Sequence, residues 1–225
     1  FPNSTETEAA VDYIRNIFIE KQQPSEYIGF MQANGKQITA TEADSLTYRA
    51  AMLRYEAKDN EGAQTGFTEY LLKFPEGRYL LEASYIMAEI NLVQKNQVAA
   101  LPFYTKVASL HPNKYAERSA LQAARILYFD QKNYVEAARY FGLLKKIALQ
   151  QENRLEAMRG LLRCQFKQQE WKDAASNAAE LLEQKGIAAD DRLMAGFSIA
   201  RNEQLNNRPE QAMKQYQALL PMGKS

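Results

Sequence analysis

The chain has one histidine and one cysteine, and these bound most of the chemistry it could perform. A metal site built on a pair of histidines is impossible. A serine, histidine and aspartate relay would have to use His111, which stands directly before Pro112 in an expected turn and reads as an ordinary turn residue. Cys164 lies within Leu161-Leu162-Arg163-Cys164-Gln165-Phe166, a segment expected to pack as a helix, which predicts a small buried thiol rather than a nucleophile. Asp190-Asp191 precedes a helix expected to begin near Arg192 and reads as a cap with favourable dipole placement, not as a carboxylate pair for acid and base work. Trp171 stands where Tyr134 stands one repeat earlier, so core packing is its expected role. No glycine-rich phosphate loop is present. The sequence therefore assigns no catalytic, cofactor-binding or metal-ligating residue, and the chain is expected not to be an enzyme and to need no cofactor.

The elements that would position any functional side chain are legible in a repeat. Ala63, Ala100, Ala137, Ala174 and Ala212 are separated by 37, 37, 37 and 38 residues. Four positions after each come Phe67, Tyr104, Phe141, Ala178 and Tyr216, and seven positions after come Tyr70, Val107, Leu144, Leu181 and Leu219. These offsets trace one face of a helix. Polar turns recur in step, at Lys58-Asp59-Asn60, Gln94-Lys95-Asn96, Gln131-Lys132-Asn133, Lys167 to Glu170 and Leu205 to Arg208 before Pro209. Each repeat is thus a helix, a tight turn and a second helix. Such a unit cannot bury its own apolar face and must stack on its neighbours, giving an extended binding surface rather than one cleft. Pro102 falls inside a second helix, where it predicts a kink or a late start.

Residues 1–43 read as the end of a missing repeat followed by a degenerate helix pair, and residues 44–225 as five repeats in one continuous array. Phe1-Pro2-Asn3-Ser4 matches Phe74-Pro75-Glu76-Gly77, an end-of-repeat motif, and the chain begins with Phe rather than Met. A preceding repeat is therefore expected, with Val11, Ile14 or Phe18 of the first helix left uncovered in its absence. Ile38 to Asp44 is expected to be the longest irregular connection.

Composition agrees with a helical array. Of 225 residues 46% are hydrophobic, and 28 Lys plus Arg balance 27 Asp plus Glu to a net charge of +1. No basic field for nucleic acid or acidic lipid exists. No apolar run approaches the roughly 18 residues of a membrane span.

With these residues in view the chain resembles a tetratricopeptide repeat protein. That family places small residues in both helices, an aromatic four positions after the second, and often a closing proline, here Ala51, Ala63, Phe67 and Pro75, then Ala88, Ala100, Tyr104 and Pro112. Later repeats depart from the pattern: Arg125, Leu162 and Ala200 take the first small position, and Leu149 and Gly186 replace proline. The resemblance implies an all-α, right-handed superhelical solenoid of antiparallel helix pairs whose first helices line the concave surface. On that register Tyr48, Met52 and Tyr55, then Tyr85, Glu89 and Leu92, then Gln122, Ile126 and Phe129, then Arg159, Arg163 and Phe166, and finally Phe197 and Arg201 would face a ligand. One end is aromatic, the other basic and aromatic, which suits a peptide or helix with apolar anchors and acidic groups. Plain inter-repeat packing is the competing role for these side chains.

A narrower resemblance rests on Phe74-Pro75-Glu76-Gly77-Arg78-Tyr79 followed by Ala83-Ser84-Tyr85. It is similar to repeats of bacterial envelope proteins, namely the periplasmic Tol-Pal-associated type and the outer-membrane barrel-assembly lipoprotein type, and Asp44 to Tyr48 leads into it in the manner of Bacteroidetes repeat proteins. This implies a periplasmic or outer-membrane-associated adaptor, with a cytoplasmic one as the other location. Three classes stay open: an adaptor binding protein or peptide, a structural array whose activity lies in another domain, and an enzyme built on the array, which would need a cluster of titratable residues.

Overall fold

The computed structural model describes residues 4–21 and 23–224, and the described residues are helical throughout with short connections. The motif at Phe1 to Asn3 lies outside them. Twelve α-helices follow in order among the described residues: α1 (Thr5–Glu20), α2 (Pro24–Ala33), α3 (Ala40–Glu56), α4 (Asn60–Lys73), α5 (Leu80–Val93), α6 (Gln97–Ser109), α7 (Ala116–Arg125), α8 (Tyr134–Ile147), α9 (Gln151–Gln168), α10 (Trp171–Leu182), α11 (Ala189–Leu205) and α12 (Pro209–Leu219). A wide π-type turn, Ile126–Asp130, extends α7, and a 3-10 turn, Leu220–Lys224, follows α12. The helices gather into two compact units, residues 1–103 and 104–225, whose boundary falls inside α6.

The periodic residues are the ones that hold each helix pair together. Ala63, Ala100, Ala137 and Ala174 are fully buried and Ala212 is nearly so, as are Phe67, Tyr104, Ala178, Tyr70, Val107, Leu144 and Leu181. An alanine with no exposed surface marks a point where two backbones approach too closely for a larger side chain. In residues 1–103, α3 packs on α4 and α4 on α5, around Tyr48, Phe67, Tyr70, Ile86 and Met87. In residues 104–225 each helix from α7 to α12 packs on the next. There α9 also touches α7 and α11, while α8 reaches α10 through the Lys145 side chain, which meets Asn177 and Glu180. Successive first helices thus approach each other directly, from α7 to α9 and from α9 to α11.

The turns are set by one backbone device. Lys58, Lys95, Lys132, Gln169 and Asn207 all adopt positive φ, between 53° and 62°, at steps that match the alanines. A left-handed residue ends a helix and lets the next backbone N–H reach back to the carbonyl five positions earlier. That bond runs from Asp59 to Arg54, Asn96 to Asn91, Glu170 to Gln165 and Arg208 to Glu203, at 2.8 to 3.0 Å. The third turn differs: Asn133 N–H reaches Leu127, six positions back, at 2.9 Å, because the π-type turn inserts one residue. Asp59, Asn96 and Asn133 then cap the following helices through their side chains, at 2.9 to 3.2 Å.

Several expectations need correction. The irregular connection after α2 is shorter than Ile38 to Asp44, since Thr39 accepts from the Glu42 N–H at 3.1 Å and starts α3 at Ala40. Pro102 does not delay α6, which begins at Gln97 and runs through it. Arg125 is not at the small position of its helix: the inserted residue moves Ala124, fully buried, into that place and leaves Arg125 exposed. Val11, Ile14 and Phe18 turn inward onto Tyr27, Met31 and Leu46, and the exposed apolar residues of α1 are instead Tyr13 and Ile17. Where proline is missing between α8 and α9, Glu117 takes over the connection, accepting from the Leu149 and Gln150 N–H groups at 3.0 and 3.2 Å and from Asn153 Nδ2 at 2.8 Å. Burial alone would raise the Glu117 pKa, but these hydrogen bonds outweigh it and hold the carboxyl below its ordinary value.

Replacing the fully buried Ala137 by Leu is expected to overpack the α7 to α8 approach and cost about 1 to 3 kcal/mol, whereas Glu136→Ala, on the outer face, should cost less than about 1 kcal/mol. Thermal melts of the two variants check this, and equal shifts would remove the role assigned to the alanine.

Candidate functional site

In residues 1–103 the candidate face divides into core and surface. Tyr48 is 8% exposed and belongs to the core: its ring stacks on Tyr79 at 4.1 Å and meets Tyr70 edge-on at 5.7 Å, so it cannot present area to a ligand. Tyr79 belongs to the Phe74 to Tyr79 motif, whose Arg78 N–H donates to the Asp44 carboxylate at 2.8 Å and whose Tyr79 N–H donates to the Tyr70 hydroxyl at 2.9 Å. The motif residues that argued for a family likeness are thus working as a packing clasp. Burial raises the Tyr70 pKa, and the neighbouring Asp44 carboxylate raises it further. Met52 and Tyr55 lean on the same core with part of their surface free, and Tyr85 is half-buried. Tyr55 and Glu89 do come together, lining an open cavity of about 420 Å³ with Glu56, Lys58, Asn60, Ile90 and Val93.

In residues 104–225 the π-type turn re-registers α7. Phe129 is 59% exposed, edge-on to Tyr128 at 4.8 Å. Arg125, overlooked in the sequence register, takes the position that Arg163 holds in α9 and Arg201 in α11. The signal was present, because 125, 163 and 201 are evenly spaced at 38 residues. Arg125 is engaged on its flank by Glu156 at 3.3 Å.

The basic end is partly neutralised from within. Asp191, 5% exposed at its side chain, receives Arg163 Nη2 at 2.8 Å, and Arg159 Nε lies 2.8 Å from its other oxygen. The Arg159 Nε approach is out of line for a hydrogen bond, so that contact is an ion pair by proximity. Arg159 Nη2 also donates to the Gly186 carbonyl at 3.3 Å. Asp191 is therefore not the cap of α11, which has none from a side chain; it is the shared counter-ion of two arginines on α9. The cluster of three keeps one positive charge, and Arg163 keeps about a third of its side chain in solvent.

Beside the arginines runs an aromatic file. Phe166 meets Trp171 at 5.4 Å and Phe197 at 5.6 Å, and Phe197 meets Trp171 at 6.1 Å and Tyr216 at 5.6 Å. Trp171 fulfils its packing role while joining this surface, and Tyr216 was outside the set chosen from first helices because it comes from α12. Gln204 links the two kinds of group: its Oε1 accepts from Arg201 Nη1 at 2.8 Å and lies 3.4 Å from the Tyr216 hydroxyl. Gln204 and Tyr216 then form part of an apolar cavity of about 300 Å³ with Pro209, Ala212, Met213, Gln217 and Leu220.

The residues considered for chemistry sit apart. His111 is exposed in the connection after α6. Cys164 is fully buried, and burial, with a smaller push from Glu170, raises its thiol to about 12. Among the described residues no group of three or more His, Cys, Asp or Glu is placed to hold a metal ion, and no helix is long and apolar enough to cross a membrane.

No family model matches the chain, and no curated protein matches it. Among solved structures it is similar to tetratricopeptide-like repeats. The nearly identical repeats of a putative kinesin light chain from Podosopora anserina are 14% identical over 83% of this chain and 97% of that one, with a TM-score of 0.41. BtubC (BKLC) from P. vanneervenii is 12% identical over 97% of this chain and 91% of that one, with a TM-score of 0.41. At these values the likeness says nothing of partner or activity, and the all-α helix-pair plan stands on the packing described above.

Two outcomes follow from the buried charge and the buried thiol. Asp191→Ala leaves two half-buried guanidinium groups without their counter-ion and should destabilise the fold by about 1 to 3 kcal/mol in denaturant titration, while Asp191→Glu should recover part of the loss. Cys164 should resist thiol reagents in the native state. Because its folded pKa lies above the unfolded value of about 8.5, its contribution to stability is complete below that pH and is lost as pH rises toward 12. The alkaline fall in melting temperature should therefore be shallower in Cys164→Ala; equal slopes would contradict the burial.

Proposed function

We propose that the chain is a non-enzymatic scaffold that binds protein segments, and that residues 104–225 contain a binding face built from Arg125, Arg163 and Arg201 on successive first helices. The observation that carries this reading is the junction at Gln204, where a guanidinium, an aromatic file and an apolar cavity meet within hydrogen-bonding distance. Such a surface takes a segment with an aliphatic or aromatic anchor in the cavity beside Met213 and Tyr216 and a carboxylate turned toward Arg201. The even spacing of the arginines on successive first helices suits an extended chain that meets one helix after another. In residues 1–103 the cavity lined by Tyr55 and Glu89 is a separate place for an apolar side chain.

An envelope location is part of the same proposal and is supported by the likeness of the Phe74 to Tyr79 and Ala83 to Tyr85 motifs to envelope repeat proteins. The second reading, a structural array within a larger protein, is supported by the amount of candidate surface that is committed to packing, Tyr48 above all.

Selection of a displayed peptide library on the purified chain tests the binding face. Peptides pairing Asp or Glu with a nearby Leu or Phe should be enriched. Arg201→Glu is expected to weaken their binding about tenfold and flatten its salt dependence, whereas Tyr216→Ala should weaken it with the salt slope kept. Unchanged affinity in both variants would overturn the assignment. Cell fractionation tests the location independently.

A further inference from the structure

Another cavity in residues 104–225 is not on the first helices. It measures about 630 Å³ and lies between the end of α6 and the outer stripe of α8, lined by Ser109, His111, Arg139, Gly142, Leu143 and Lys146 among others. Its charged side chains, Arg139 and Lys146, are both basic. His111 and Lys146 have no hydrogen-bond or ion-pair partner among the described residues, and the neighbouring Lys145 turns away to Glu180 at 2.6 Å and Asn177 at 3.2 Å. Arg139 lies over the Tyr140 ring at 5.5 Å and shares only Glu136, at 3.2 Å, with most of its side chain in solvent. The hydroxyl of Ser109 points back to the Lys106 carbonyl. Between these groups the floor is apolar, formed by Ala138, Leu143 and Ile147.

Gly142 supplies the second observation. It sits in the interior of α8 with ordinary helical φ, where glycine is the poorest non-proline helix former. Elsewhere in this unit a helical glycine has a packing cause: a Cβ on Gly160 would collide with the Phe141 ring, and one on Gly196 would meet Leu219 at 2.5 Å. A Cβ on Gly142 would meet nothing within 4 Å. Packing therefore does not require glycine there, and its effect is to deepen the cavity floor between Arg139, Leu143 and Lys146.

We propose that this cavity is a second docking site, on the opposite flank of the repeats from the arginine row, for a segment of a partner protein that carries carboxylates beside an aliphatic side chain. Charge complementarity selects the occupant: the walls offer donors from histidine, arginine and lysine, and the lining contains no carboxylate. The breadth of the opening suits a peptide laid across α8, with one aliphatic side chain seated over Gly142 and flanking carboxylates on Lys146 and Arg139. With one face on the first helices and one on the second, a repeat array of this kind holds two protein segments at once.

The test uses the full 225-residue chain carrying Arg125→Glu and Arg201→Glu, which disables the first-helix face without touching the buried Asp191 cluster, and a fluorescent acetyl-Glu-Leu-Glu-Leu-Glu-amide peptide read by anisotropy. Saturable binding is expected to persist in that background. Adding Lys146→Glu should weaken it by about tenfold. Adding Gly142→Leu should abolish it while the melting temperature stays level or rises, since leucine is the better helix former. An all-glutamate peptide of the same length should bind more weakly than the mixed one. The proposal is overturned if the background variant shows no binding up to about 1 mM peptide, if Gly142→Leu and Lys146→Glu bind as the background does, or if the all-glutamate peptide binds equally well. Loss in the background variant alone leaves the first-helix reading intact, and retention there with loss in Gly142→Leu separates the two faces.

Discussion

Close backbone approach at a small residue is the constraint on which the helix pairs depend. Ala63, Ala100, Ala137 and Ala174 have no exposed surface, and each is followed two turns later by a larger buried side chain, Tyr70, Val107, Leu144 or Leu181, that fills the space beyond the contact. The alanine fixes how near two helices come, and the left-handed residue at the end of each first helix fixes the direction of return. Neither device works alone: a tight turn without the small residue would splay the pair, and a small residue without the turn would leave the partner helix out of reach. Their common period in the sequence is the chemical trace of that mutual dependence.

The same economy shapes the candidate face. A repeat array has no core other than the contacts between its elements, so side chains that could serve a ligand are drawn into packing. Tyr48 is consumed by Tyr79 and Tyr70 in this way, and Asp191 draws two arginines half inward. What stays available lies where the fold has finished its own pairing, at Arg201 and Gln204 beside the cavity of α12 and at Lys146 and His111 beside Gly142. Single surface ion pairs such as Arg125 with Glu156 contribute little to stability and can be exchanged for a ligand carboxylate at small cost.

The π-type turn at Ile126 to Asp130 shows how one inserted residue alters a surface without altering the repeat. The turn residue Lys132 and the anchor Ala137 keep their places, while everything before the insertion slides by one, so that Ala124 replaces Arg125 inside and Arg125 joins the outward row. The adjustment is local because the hydrogen-bonded ladder absorbs the extra residue within one wide turn.

The helix pairs, their turns, the buried alanines and the buried thiol were legible in the sequence because each follows from a local rule: helical offsets, capping residues and apolar spacing act over a few positions. The candidate faces were legible only in part. Register placed Arg163, Phe166, Phe197 and Arg201 on first helices, but it put the buried Tyr48 on the surface, and it did not join Trp171, Gln204 and Tyr216 to the candidate face, since ring contacts and a bridging amide link residues from different helices. Asp191 looked like a cap because its neighbours in sequence suggest one, whereas its partners, Arg159 and Arg163, lie on α9, the first helix of the preceding repeat. Gly142 is the extreme case: in the sequence it is one more small residue in a helix, and only the empty space above it in the tertiary structure distinguishes a floor from a contact. Local periodicity decides which residues are helical and which face is apolar; which of those residues meet, and which are left over for a partner, is decided by distances across the fold that no local rule contains.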